Sequence, residues 1–231
     1  MEMASPDMAY DRTIVVFSPD GRLLQVEYAK EAVKRGSTSV GIKIKDGVIL
    51  ATEKIKFPLA VAQSYKIYKI DDHIGMVSSG IIADARDLAE RARIRAQINK
   101  ITYGEPISVF SLTKDLCDRK HLVTQYAGVR PYGVGLLVGG VDDTGPKLYE
   151  TDPSGTMIEW NAQAIGKGAD KAKDIFKKEW KENLSEEEGL KLVLKALKLG
   201  ERGIEKEDIE IAVIKKERFK VLSPEEIKKI K

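Results

Sequence analysis

At Gly36 the hydrophobic pattern of the chain changes period, and no other feature limits the fold as much. Ahead of it, in GRLLQVEYAKEAVKRG, Leu23, Val26, Lys30 and Val33 recur at helical spacing, after a turn marked by Pro19-Asp20-Gly21. Lys34 and Arg35 suit the negative end of a helix dipole, and Gly36 suits the residue just past it, where a left-handed conformation is expected. Behind Gly36 the period is two. Thr38, Val40, Ile42 and Ile44 fall on one face, with Ser39, Gly41 and Lys43 on the other, until Asp46-Gly47 turns the chain into VILAT.

The same alternation of periods continues along the chain. IYKI and IGMVSS form a second predicted strand pair around Asp71-Asp72, after an irregular loop containing Pro58. Two amphipathic segments follow. Ala85, Leu88, Ala89, Ala92 and Ala96 line one face of the first, and Val109, Leu112, Leu116 and Val123 line the second, with Pro106 at its start and Tyr103-Gly104 between the two. Strand character returns in YGVGLLVGGV, KLYET and TMIEWNAQAI, then come the helical GADKAKDIFKKEWKENL and SEEEGLKLVLKALKLG. The latter opens with Ser185 and Glu188 in capping-box spacing and closes on Gly200. DIEIAVIKK and FKVLSP complete the strands. Helices grouped in pairs between strand pairs predict an α+β fold of two stacked sheets flanked by helix layers.

Composition narrows the function. With 231 residues, 42% of them hydrophobic, and no linker, the chain is read as a short, polar and mobile tail over 1–12 and a single domain over 13–231. The 39 basic and 36 acidic residues are interspersed, so the net charge of +3 carries no nucleic-acid stripe. No stretch approaches the roughly 20 apolar residues that span a bilayer, and a cytoplasmic protein is expected. One cysteine, Cys117, and two histidines leave too few ligands for an expected zinc site. Cys117 itself reads as a small apolar residue of a helix. The glycines of AIGKGADKA fail the P-loop spacing, so no nucleotide or other cofactor is expected; Gly166 and Gly168 read as a strand-to-helix passage. Gly133, Gly135, Gly139 and Gly140 read as close approaches within a buried strand.

One constellation bears on chemistry. A residue 37 freed as an N-terminus would carry its own base in its α-amino group, while Glu53 and Lys66 could lower the pKa of its hydroxyl and stabilise negative charge. In the intact chain, however, the nitrogen of Ser37 is an amide and is no base. By itself Lys66 would be read as a solvated surface charge.

The run AYDRTIVVFSPDGRLLQVEYAKEAVKRGSTSVGIK resembles the N-terminal signature of archaeal proteasome core-particle α-subunits. SSGIIADARDLAERARI, TQYAGVRPYGVGLLVGGVD, LYETDPSGTMIEW and AIGKGADKA resemble later family segments in the same order, from about Ala9 to the final PEEIKKIK. The resemblance implies a four-layer α-β-β-α sandwich of the N-terminal-nucleophile hydrolase superfamily, with an extra N-terminal helix and no catalytic residue of its own. It implies a heptameric ring of such subunits, stacked on proteolytic β-subunits, through which unfolded proteins pass. Tyr10, Asp11, Pro19 and Tyr28 match the family's gate cluster. Lys66, Gly80 and Ile81 match the pocket between neighbouring α-subunits that receives the C-terminal tails of AAA-type ATPase activators. Ala127-Gly128, the 55–64 stretch and Glu53, where aspartate is common, depart from the family pattern. The competing expectation is an autoprocessed peptidase cut before Ser37.

Overall fold

A computed structural model describes residues 15–54, 59, 66–201 and 203–230. The tail over 1–12, Tyr10 and Asp11 with it, and nearly all of the unusual 55–64 stretch lie outside the described residues. After helix α1 (Leu24–Arg35) come β1 (Ser39–Ile44), β2 (Gly47–Glu53), β3 (Ile67–Asp71) and β4 (Ile74–Gly80). Helices α2 (Ile82–Tyr103) and α3 (Val109–Val123) lead into β5 (Val134–Asp142), β6 (Gly145–Thr151), β7 (Met157–Glu159) and β8 (Ala162–Ile165). Helices α4 (Ala169–Glu179) and α5 (Glu186–Gly200) precede β9 (Ile209–Lys215), β10 (Arg218–Val221) and the short α6 (Pro224–Lys229).

The strands form two antiparallel five-stranded sheets, ordered β10-β9-β2-β1-β8 and β3-β4-β5-β6-β7. Strand alternation then builds three cores. On β2, Val48 and Leu50 face the second sheet and meet Val77, Leu137 and Leu148, while Ile49 and Ala51 face Phe176, Val193 and Leu197 of α4 and α5. On β5, Leu136 and Val138 face Leu88, Ala92 and Leu112 of α2 and α3. A sheet buried on both faces needs apolar residues at consecutive positions, which explains the unbroken run in VGLLVGG. The layers are therefore helix, sheet, sheet, helix, as the sequence predicts. No helix among the described residues is long and apolar enough to cross a membrane.

Three local expectations change. TMIEWNAQAI is two strands, not one: β7 pairs with β6 in one sheet and β8 with β1 in the other. Trp160 N–H donates to Leu148 O at 2.9 Å and Asn161 O accepts from Lys43 N–H at 2.8 Å, so consecutive residues bond to different sheets. Helix α3 starts after Pro106, at a cap where Ser108 Oγ accepts from Ser111 N–H. A hydroxyl is the better cap because it satisfies a free N–H that proline leaves alone. Gly36 does end α1, but at φ −65° and ψ 155° it is extended, not left-handed. Its requirement is space: a Cβ there would lie 2.4 Å from both Gly80 N and Ser79 Oγ.

Helix α1 packs on the ends of β4 and β5. A methyl group on Gly135 would stand 2.8 Å from Val33 Cγ1 and 3.7 Å from Ile165 Cδ1 of the opposite sheet, so α1 covers the end of the sandwich where the two sheets meet.

Candidate functional site at the Gly36–Ser37 junction

The corner under the C-terminus of α1 collects polar residues that are far apart in sequence. Register explains the convergence: Ser39 of β1 stands opposite Thr52 of β2 and Ile165 of β8, so the beginning of β1 meets the end of β2 and the passage from β8 to α4. The beginning of β3 and the end of β4 arrive at the same place from the second sheet, with Ser39 Oγ donating to Ser78 O at 2.8 Å across the gap.

Lys66 sits at the centre. It is 3% exposed, contrary to the surface position that the sequence suggests without the family resemblance. Its Nζ donates to Ser37 Oγ at 2.5 Å and to Thr52 Oγ1 at 2.6 Å, with the carbonyls of Ser37 and Glu53 at 3.4 and 3.5 Å. Among the described residues it has no ion pair. Burial, only partly opposed by the charges of Glu53, Glu210 and Glu201, lowers the lysine pKa to about 8. Burial also raises the pKa of Glu210. Glu53 Oε2 has no hydrogen-bond partner among the described residues; Lys167 Nζ is 3.8 Å away, and that ammonium lies closer to Glu201 Oε2, at 2.9 Å.

Ser37, Glu53 and Lys66, which the sequence proposes as one constellation, are thus brought together. Their surroundings are those of an uncut chain. α1 runs without a break into Gly36, whose carbonyl accepts from Lys167 N–H at 2.8 Å, and Ser79 Oγ stands 3.0 Å from Ser37 O and 3.1 Å from Val33 O. With its nitrogen in a peptide bond, Ser37 has no α-amino base of its own, and its hydroxyl accepts from the Lys66 ammonium.

Gly80 and Ile81 belong to the same corner. Gly80 has φ +114°, touches Gly36, and leads into Ile81, whose N–H donates to Gly133 O at 2.9 Å and whose side chain is partly exposed. Of the four positions that the family resemblance assigns to a gate, Pro19 and Tyr28 are described, and both are exposed. Pro19 lies in a turn closed by Ser18 Oγ donating to Asp20 Oδ1 at 2.6 Å, with Gly21 at φ +78°.

Sequence reasoning missed Thr38 and Glu201. Thr38 is fully buried; its hydroxyl donates to Glu201 Oε1 at 2.6 Å and accepts from Gly168 N–H at 2.9 Å. The signal was there for Thr38, a hydroxyl on the strand face shared with Val40 and Ile42, because such a group must find a partner. Nothing local marks Glu201. Cys117 is buried and its thiol is pushed up to about 11 by desolvation, which suits an inert core residue.

Family comparisons agree with this geometry. Residues 33–214 match the family described as proteasome subunit, and residues 10–32 match the N-terminal signature of A-type proteasome subunits. A protein of Archaeoglobus fulgidus, named as the alpha subunit of the proteasome, is 53% identical over 231 residues, covering 98% of this chain and 94% of its own length. Proteins of the same name from Thermococcus sibiricus and Methanosarcina acetivorans are 52% and 49% identical, covering 99% and 96% of this chain and 89% and 92% of their own lengths. The chain belongs to the proteasome subunit family. It is of the α type, a component of the α-ring of the proteasome core and not itself the peptidase of that threonine-type complex.

Proposed function

We propose that this protein gates substrate entry into the proteolytic chamber and docks an ATPase activator, in a cytoplasmic particle of heptameric rings that degrades unfolded proteins. The observation that carries this reading is the contact between the docking corner and the helix that follows the gate. Lys66, Gly80 and Ile81 surround the C-terminus of α1, and the chain that enters α1 comes through Pro19 from the tail. An ammonium and nearby backbone N–H groups are suited to a terminal carboxylate, and Ile81 offers an apolar contact for the residues before it. Neighbouring subunits need surface to pack on. The stripe Ile94, Ile98 and Ile101 on α2, the last 83% exposed, is apolar surface of the kind that assembly covers.

The test uses particles assembled with β-subunits. Deleting the tail ahead of Asp11 should speed hydrolysis of a small peptide substrate, and unchanged turnover would count against gating. Lys66→Ala should abolish the response to activator while rings still assemble; a preserved response would remove Lys66 from docking. The competing reading, cleavage before Ser37, draws on the 2.5 Å contact between the Lys66 ammonium and the Ser37 hydroxyl. Intact-mass measurement separates the two, since loss of the first 36 residues would establish the cut.

A further inference from the structure

Resting on the docking reading above, we infer that Ser37 and Thr52 are positioning residues for Lys66: their hydroxyls hold its ammonium in place and charged, so that a peptide carboxylate meets a fixed cation.

The geometry sets the roles. Among the described residues no carboxylate forms an ion pair with the Lys66 ammonium; Glu53, Glu201 and Glu210 act on it through their charge, and Glu210 accepts from the Lys66 backbone N–H instead, so the ammonium protons go to two hydroxyl oxygens and, at longer range, to two carbonyls. Both hydroxyls are kept free to accept. Ser39 Oγ donates to Ser78 O, so at its 2.7 Å contact with Thr52 Oγ1 it is the acceptor, and Thr52 spends its proton there or on Thr38 O at 3.2 Å. Thr52 therefore presents a lone pair to Lys66. Ser37 does the same from the residue just after Gly36, which places the lysine against the end of α1.

A buried lysine with no carboxylate ion-pair partner among the described residues keeps an unpaired charge for an incoming anion. A buried ammonium without acceptors would instead lose its proton or leave its position. The two hydroxyls resolve this conflict, because they are neutral and do not compete with a docked carboxylate as an aspartate or glutamate would. Groups facing the lysine from other elements shift the balance further: Glu53 at the end of β2, Glu210 on β9 and Glu201 after α5 favour the charged form, and Lys167 before α4 opposes it.

Removing the acceptors should make docking fail at a lower pH. With wild-type particles, a peptide carrying the C-terminal residues of the ATPase activator should bind well below pH about 8 and lose affinity as Lys66 deprotonates. Ser37→Ala/Thr52→Val should bind that peptide roughly tenfold more weakly at neutral pH, with the midpoint of the loss moved down. Thr52→Ser, which restores the oxygen, should recover both. Glu53→Gln should move the midpoint down as well, since it removes the strongest favourable charge. The same peptide with an amidated C-terminus supplies the baseline.

Wild-type affinity and midpoint in the double variant would overturn the positioning role. If the double variant does not assemble, the single variants carry the test, and a midpoint unmoved in both overturns it equally. An unchanged response in Lys66→Ala would overturn the docking reading itself, a distinct result.

Discussion

Lys66 and Lys120 are alike in environment and opposite in circumstance. Both are buried, both donate to a threonine hydroxyl, and burial lowers the pKa of each to about 8. Lys120 is a brace: from α3 its Nζ reaches Val134 O of β5 at 2.9 Å and Thr151 Oγ1 of β6 at 2.7 Å, with no exposed surface. Lys66 stands at an edge where two sheets, the end of α1 and the backbone of Gly80 converge. A lowered pKa therefore does not distinguish the lysine proposed for docking from the one that braces two strands. Position at the junction of several elements does.

The largest effect should come from cutting the brace. Lys120→Ala leaves a cavity and removes the donor to both strands, and should cost about 3–5 kcal/mol. Lys66→Ala, at the edge, should cost less and leave rings intact. Denaturant unfolding of both variants checks this, and equal losses would break the comparison.

pH sharpens it next. Lys120 binds a proton more weakly in the folded chain than in the unfolded one, so the unfolded state holds more protons between pH about 8 and 10.5, and this group adds stability as pH rises through that window. Below it, the cost of burying the charge is fully present. The stability of wild type relative to Lys120→Met should thus increase by on the order of 3 kcal/mol from pH 7 to 10.5. Taking the difference cancels the tyrosines and other groups that titrate in both proteins. A gap that stays constant would mean Lys120 is not the source.

Gly36→Ala acts on the Lys66 corner alone. Its new methyl group would fall on Gly80 N and Ser79 Oγ, where the backbone cannot yield cheaply, and should cost about 1–3 kcal/mol. The activator response should fall with it while the packing around Lys120 persists; thermal unfolding and peptide hydrolysis read the two effects. Finally, Thr151→Val and Thr52→Val make the same exchange at the two lysines. Each should cost about 1–2 kcal/mol, but only Thr52→Val should alter the pH dependence of activator response. A matching shift in Thr151→Val would erase the distinction.

Much of this was legible from residue order. The change of period at Gly36, the Asp46-Gly47 turn and the Ser185–Glu188 capping box all appear where the pattern puts them. These are local matters, settled within a few residues by backbone sterics and short-range hydrogen bonds. Gly36 and Pro106 show the limit even of local rules: the helix ended where expected, but for want of space beside Gly80, and the cap fell to Ser108.

The division of TMIEWNAQAI between two sheets could not be read locally, because each half is a good strand and only the partners, β6 and β1, differ. Nor could the depth of Lys66. In YKIYKID nothing distinguishes this lysine from Lys69 three residues later, which is exposed and pairs with Asp72. What buries one and not the other is how the two sheets stack: this brings Ser37, just ahead of β1, and Thr52 of β2 within reach of Lys66. Periodicity tells a chain which face turns inward. Which hydroxyls wait there depends on contacts between residues far apart in sequence, and these exist only once the two sheets have stacked.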